Sequence, residues 1–500
     1  MNKMSKLLAH LATARADEVR LAVSPKLDVS RRSKLGQFMT PAPIAERMAS
    51  MFGPMPQEIR LIDAGAGIGA LTAAFIAEAL SRPAKPASIS VTCFEVDEDM
   101  TVHLADTLEN CALACASNGV TFRSQIIRDD YILASSEPLL AKSFSFNRAI
   151  LNPPYGKINS ASRWRSALRQ SGIETVNLYS AFVALAVKQL EDGGELVAIT
   201  PRSFCNGPYY EPFRHYLLSN TALLELLVFE SRKKAFADDD VLQENVIFLA
   251  RKDKTHSPTV RLKTDASETR HVPMDQVVRP SDPHAFIRLA VSNGDADLAS
   301  RIQELPCTLA NLGIKVSTGR VVDFRAKHHL RKESGEDTAP LIYPGHMKDA
   351  GVVWPIEGFR KHNAIAVDDY TRPQLVPAGR YVLTKRFSAK EERRRIVASV
   401  YNTSQAAGIE NHLNYFHDNG SGLSMELAVG LTAYLNSTVV DNYFRLFSGH
   451  TQVNATDLRN LHYPSRPQLE RLGQLAPSSQ EAIDILIAEL LSQRIRQEIA

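Results

Sequence analysis

The 500-residue chain predicts an α/β protein: a mainly parallel sheet with helices on both faces in the first half, then a mixed α/β region. Three observations carry that reading. From about 59 to 250, short apolar runs of strand length alternate with longer amphipathic segments, the pattern of strands joined by crossover helices. A glycine-rich turn stands between the first such strand and the first such helix. Beyond about 258 the periodicity becomes irregular, and a chain of this length exceeds one ordinary core, so two domains are expected.

Taken in order, residues 1–30 place apolar side chains at helical spacing, Leu7, Leu8, Leu11 and Leu21 among them. Segments 59–62, 88–94, 148–151, 196–200 and 224–229 read as strands, and 241–250 as a further one. Segments 69–81, 100–118 and 178–190 read as helices. The stretch 252–257 is a polar exit from this region, and 281–302 reads as a helix linking the halves. Later, 374–384 is strand-like, and helices return at 424–435 and 479–498. The expected division is a helical segment over 1–35, a first domain over 36–255 and a second over 256–500.

Composition narrows the class. Apolar residues at 44% and charged residues at 23% describe an ordinary globular chain. No apolar run approaches the roughly 18–20 residues that cross a bilayer. The first twenty residues are amphipathic, not a charged head before an unbroken apolar stretch, so a cytoplasmic protein is expected. The five cysteines (Cys93, Cys111, Cys115, Cys205, Cys307) are scattered and odd in number, which suits a reducing compartment. Cys111 and Cys115 lie one helical turn apart with no His or Cys pair nearby to complete a zinc set, so they read as helix-face residues and no metal is expected. Net charge is +3, with 26 Lys+Arg against 27 Asp+Glu in 1–250 and 32 against 28 in 251–500. A nucleic-acid surface would therefore be a local patch in the second half.

Leu61-Ile-Asp-Ala-Gly-Ala-Gly-Ile-Gly69 follows the first strand and opens the first helix. Gly65, Gly67 and Gly69 let the backbone turn tightly and approach a ligand. The next strand ends in Cys93-Phe-Glu-Val-Asp97, which sets Glu95 where an acid accepts from both ribose hydroxyls in dinucleotide sites. A pyrophosphate loop spaces its glycines G-x-G-x-x-G. Here Gly65-x-Gly67-x-Gly69, led by Asp63, fits a ligand lacking phosphates. A turn that merely packs is the alternative.

Asn152-Pro-Pro-Tyr155 directly follows an apolar strand. An amino nitrogen conjugated to an aromatic ring is a poor nucleophile because its lone pair is delocalised. Two acceptors on that NH₂, the Asn152 side-chain oxygen and the Pro153 carbonyl, would return electron density to nitrogen and aim its lone pair. Pro153 and Pro154 fix the backbone and remove competing N–H donors. Tyr155 offers a face for stacking a base, and a base inside a duplex reaches such a pocket only by flipping out. A plain turn is the competing reading of Asn-Pro-Pro.

With these motifs the sequence resembles the gamma class of N6-adenine DNA methyltransferases, the TaqI and PstI kind of restriction-modification enzyme, and shares that class's order of motifs. The resemblance implies a Rossmann-like S-adenosylmethionine-dependent domain followed by a mixed α/β target-recognition domain, with a DNA cleft between them. It implies that Thr40 and Pro41, in Gly36-Gln-Phe-Met-Thr-Pro41, lie beside the methionine part of the cofactor. Asp63, Gly65 and Gly67 match the first cofactor motif and Glu95 the ribose-binding acid. Asp130 and Tyr131 match the segment that contacts the cofactor's adenine, with Asp129 able to slip into the same register. Asn152, Pro153 and Tyr155 match the catalytic motif, and Phe236 the later aromatic that stacks on the flipped adenine, unless it is a core phenylalanine. The motifs are specific over about 30–250 and more diffuse beyond.

In the second half, Lys385-Arg-Phe-Ser-Ala-Lys-Glu-Glu-Arg-Arg-Arg395 holds six basic and two acidic residues. Lys385, Arg386, Lys390, Arg393, Arg394 and Arg395 are the candidates for DNA contact, against the alternative of a solvated helix face. The polar segment 448–454 leads into a short helix at 457–459 within the same region. The expected partners are double-stranded DNA and a separately encoded cognate restriction endonuclease. Two rivals stand beside this reading: an RNA or protein-amide N-methyltransferase sharing the Asn-Pro-Pro-Tyr chemistry, and a non-catalytic DNA-binding specificity protein.

Overall fold

Alternating apolar strands and amphipathic helices build one large sheet in the first half of the chain. A computed structural model describes residues 3–23, 39–137, 144–229, 245–264, 269–290, 292–348, 351–388, 392–448 and 451–497. The chain divides into two compact units, Met1–Val291 and Ser292–Ala500. In the first unit the strands are β1 (Glu58–Ala64), β2 (Ser88–Phe94), β3 (Thr121–Ile127), β4 (Phe146–Leu151), β5 (Leu190–Pro201), β6 (Thr221–Val228), β7 (Asn245–Lys252), β8 (Thr259–Thr264) and β9 (Arg270–Pro273). Its main helices are α1 (Lys3–Val23), α2 (Ala42–Ser50), α3 (Ala70–Ser81), α4 (Glu98–Ser117), α5 (Tyr131–Ser136), α6 (Arg163–Gln170), α7 (Leu178–Gln189) and α8 (Glu211–Asn220).

The sheet order is β3-β2-β1-β4-β5-β7-β6-β8-β9. Strands β1 to β5 pair in parallel, and β7 enters antiparallel between β5 and β6. Without β7 and the added edge strands β8 and β9, the order is the doubly wound 3-2-1-4-5-6, whose direction of winding reverses between β1 and β4. Side-chain alternation sorts the core. Leu61, Ile150 and Val197 pack on one face with α2, α3 and α4, while Ile62, Leu151 and Ala198 pack on the other with α7. Cys111 and Cys115 lie on the buried side of α4.

Two boundaries differ from expectation. The first unit extends past 255, because β8 pairs parallel with β6 and β9 closes the edge antiparallel to β8. The polar stretch at 252–257 is a turn between strands, and polarity alone does not separate a turn from a linker. The 281–302 helix is also shorter: it spans Asn293–Gln303, started by a capping box between Ser292 and Asp295. Before it, Asp282 accepts from the His284 N–H at 3.0 Å, the Phe286 N–H at 3.2 Å and Arg288 Nη2 at 2.7 Å. A side chain that satisfies local backbone donors in this way competes with helix.

The second unit contains an antiparallel sheet ordered Lys315–Thr318, Leu413–His417, Gly379–Lys385, Ala398–Thr403, and a five-stranded sheet through Thr338–Ile342 and Ala407–Ile409. Helices Met425–Leu435 and Gln480–Gln497 lie where the sequence predicts them.

Candidate active site

Strands β1 and β4 deliver their C-terminal ends to the point where the winding reverses, the usual place for a ligand in an open α/β sheet. A cavity of about 870 Å³, including its open mouth, lies there. The loop after β1 forms one wall. Gly65, Gly67 and Gly69 have φ of +77°, +56° and +83°, which side-chain-bearing residues rarely adopt. The Gly65 and Ala66 N–H groups donate to Phe94 O at 2.9 and 3.0 Å, tying the loop to β2. A Cβ on Gly67 would meet nothing within 4 Å, so this residue faces open space.

Glu95, at the end of β2, is nearly buried and accepts from the Gly67 N–H and the Asp97 N–H, both at 2.8 Å. Burial raises its pKa, and the two backbone donors act against that shift. Ile68, Phe94, Tyr131 and Phe182 make the cavity apolar. Tyr131 packs between Phe94 and Phe182 with ring centroids 4.9 and 5.0 Å away, and its hydroxyl donates to Gln189 Oε1 at 2.8 Å.

The Asn152–Tyr155 turn forms the facing wall, where Asn152 and Pro154 line the cavity. A Cβ on Gly65 would lie 3.6 Å from Phe182 Cε1 and 3.7 Å from Pro154 Cδ, so the two loops nearly touch. Asn152 Nδ2 donates to Thr40 Oγ1 at 2.9 Å, which orients the amide. The chain beyond the turn is stitched to the start of α7 through Leu178 N–H to Gly156 O and Ile158 N–H to Val176 O, each 2.8 Å. Tyr155 meets the Tyr179 ring edge-on at 6.1 Å and donates to Asn245 Oδ1 at 3.4 Å, and burial pushes its phenol upward.

Several expected residues sit elsewhere. Asp63 does not line the cavity: it is fully buried and accepts from Thr72 Oγ1 at 2.7 Å, clamping α3 to β1. Burial, with the Glu95 charge adding, raises its pKa to about 7 against the opposing Thr72 bonds. Asp130 caps α5 through the Leu133 N–H and accepts from Trp164 Nε1 at 2.7 Å, so Asp129 is the acid at the cavity. Pro41 caps α2 one step behind Thr40, and Met39 takes the cavity position instead. Phe236 lies outside the described residues. Sequence reasoning missed Met39 and Phe182, whose apolar character carries no signal apart from core.

Among the described residues of the basic run, Lys385 ends the strand Gly379–Lys385, and 386–388 and 392–395 lie in no helix before the strand Ala398–Thr403. Arg395 is buried: it donates to Ser388 Oγ and Ser448 Oγ at 3.1 Å and lies over the Phe444 ring. It is a structural arginine, unavailable to phosphate. Arg394 is half-buried, Arg393 exposed, and Lys385 and Arg386 half-buried; Lys390 lies outside the described residues. The 448–454 segment supports this run, since Val453 N–H donates to Arg386 O and Ser388 N–H to Thr451 O. Among the described residues no cluster of His, Cys, Asp and Glu could hold a metal, and no helix is long and apolar enough to cross a membrane.

The strand order with one antiparallel insertion, and a glycine loop without pyrophosphate spacing, define a Rossmann-like methyltransferase domain. The model of the Eco57I restriction-modification methylase family matches residues 87–236. The chain is 48% identical to the type II methyltransferase M.PstI of Providencia stuartii over 91% of its own length and 92% of that protein. It is 45% identical to the type II methyltransferase M.BsuBI of Bacillus subtilis over 95% and 97%. In fold it is similar to the protein solved as the cryoEM structure of the DrdV–DNA complex, with TM-score 0.50 and 12% identity over 93% of this chain and 59% of that one. The chain belongs to the type II methyltransferases of restriction-modification systems.

Proposed function

We propose that this chain transfers a methyl group from S-adenosylmethionine to the N6 amino group of a flipped-out adenine at a specific site in duplex DNA, protecting host DNA from a separately encoded cognate nuclease. One observation carries the reading: the Asn152–Tyr155 turn and the glycine loop face each other across one cavity, with the Asn152 amide anchored on Thr40.

The residues present fit the cofactor. Glu95 would accept from its ribose, and Ile68, Phe94, Tyr131 and Phe182 supply apolar walls for its adenine, with Asp129 at the rim. Met39 and Thr40 would lie along the methionine part. When bound, S-adenosylmethionine supplies an electrophilic methyl on a sulfonium. The chain's own work is to hold the acceptor. The Asn152 side-chain oxygen and the Pro153 carbonyl accept from the adenine NH₂, concentrating electron density on nitrogen. Tyr155 stacks on the base, and Phe236 would close its other face. Most of the acceleration then comes from orientation. No strong base is required, because the nitrogen's proton becomes acidic once the methyl is attached.

The test is methyl transfer from labelled S-adenosylmethionine to mixed duplex DNA, followed by modified-base sequencing. N6-methyladenine within one short motif is expected. A methyl group on cytosine, or on RNA or protein alone, would sink the reading.

A further inference from the structure

Three connections leave one end of the second unit's four-stranded sheet together. Thr318 lies opposite Asn414 and Lys385 opposite Leu413, so segments 319–329, 386–388 and 410–412 emerge at the same edge. They are bonded to one another: Gly319 N–H donates to Leu413 O at 2.8 Å, Asn411 N–H to Val321 O at 2.9 Å and Arg386 N–H to His412 O at 2.9 Å.

Two aromatic rings stand out of this edge, each beside a guanidinium. Phe324 is 76% exposed, with the Arg325 guanidinium carbon 5.6 Å from its centroid. Phe387 is 42% exposed, with Arg386 at 5.9 Å and the His412 ring at 5.0 Å. An exposed phenylalanine forfeits hydrophobic stabilisation, and Phe324 is held out by its surroundings. Val321 and Ala326 on either side are buried, and the Arg325 and Ala326 N–H groups both donate to Val322 O at 3.0 Å. Segment 319–329 carries Arg320, Arg325 and Lys327 against one acid, Asp323, whose carboxylate is paired with Lys361 at 2.9 Å. A rigid, cationic edge bearing exposed rings complements a polyanion with flat apolar faces.

We infer that this edge is a duplex-DNA contact surface, with the Phe324 and Phe387 rings against bases and Arg325, Lys327 and Arg386 on the flanking phosphates. The inference rests on the DNA reading above, and it moves the weight of DNA contact from the buried end of the basic run to a face shared with 319–329.

Binding of sheared genomic duplex DNA to the full chain, titrated against salt, tests it together with methyl transfer to the same DNA. Phe324→Ala should weaken binding roughly tenfold with an unchanged salt slope. Arg325→Gln should lower the slope of log affinity against log salt by about one. Both variants should bind S-adenosylmethionine as the parent chain does. Parental affinity and slope in both variants would overturn the surface, as would loss of cofactor binding alongside DNA binding. If the parent chain binds duplex DNA through these residues yet transfers no methyl to it, the reaction assigned above fails and the surface stands.

Discussion

At Asn152 the hydrogen bond to Thr40 does more than stabilise a turn. It holds the side chain with its nitrogen on the Thr40 hydroxyl, the orientation in which, in the proposed reaction, the amide oxygen accepts from the substrate amino group. Thr40→Val keeps the volume and deletes the acceptor. Methyl transfer should fall about ten- to a hundredfold, in keeping with roughly 1–3 kcal/mol for an orphaned polar group, while cofactor affinity changes little. Single-turnover kinetics beside calorimetry would separate the two. Asn152→Ala should abolish transfer and leave cofactor bound. Asp63 poses a different residue-scale question. Its folded pKa of about 7 lies above its unfolded value, so the folded state holds the proton more tightly. That contribution is complete below the unfolded pKa and is lost as pH rises through about 7. Melting curves from pH 4 to 8 should therefore show the parent chain losing ground to Asp63→Asn, and a constant difference would contradict it.

At the scale of elements, α1 is joined to the active site through backbone rather than through a catalytic group. Asp17 Oδ1 accepts from the Ala42 N–H at 3.1 Å and from Arg20 Nε at 2.7 Å, which fixes the start of α2 next to Thr40. Val19 and Val23 pack with Met39 on Ile68 and Met100 of the cavity wall. Asp17→Ala should weaken cofactor binding several-fold and lower Tm by a few degrees, and Asp17→Asn, which keeps an acceptor, should restore both. In the second unit, helices Met425–Leu435 and Arg466–Leu475 cross on glycines. A Cβ on Gly430 would fall 1.8 Å from Leu469 O, and one on Gly473 1.8 Å from Glu426 O. Gly430→Ala should cost about 3 kcal/mol or more by forcing the helices apart, measurable by denaturant titration.

For the molecule as a whole, the division at Val291/Ser292 shows where the first unit completes its sheet. A chain ending at 255 would lack β8 and β9, uncovering β6 and removing Val260, Leu262 and Val272 from the core. A fragment of residues 1–291 should be soluble and bind S-adenosylmethionine, whereas one of residues 1–255 should aggregate, because a long apolar edge strand is uncovered. Size-exclusion chromatography with calorimetry distinguishes them. Equal behaviour of the two fragments would place the boundary back at the polar turn.

Much of the first unit was legible in the sequence because its signals are local. Strand β2, helix α3 and helix α7 fall within a residue of their expected ranges, since apolar period and flanking turns reside in neighbouring residues. Gly65, Gly67, Gly69, Glu95 and the Asn152–Tyr155 turn were readable for the same reason: each needs a residue type that few other roles require. What the tertiary structure decided is direction and burial. Whether Asp129 or Asp130 meets the cavity depends on Trp164, thirty-four residues away, taking the other carboxylate. Whether Asp63 faces a ligand or Thr72, and whether Arg395 faces solvent or Ser388, Ser448 and Phe444, is settled by partners on other elements, from Ser388 seven residues away to Ser448 fifty-three away. The pattern of a chain specifies which groups it has and which local shapes they favour. Which of them solvent, substrate or core receives is set by packing between segments far apart in sequence.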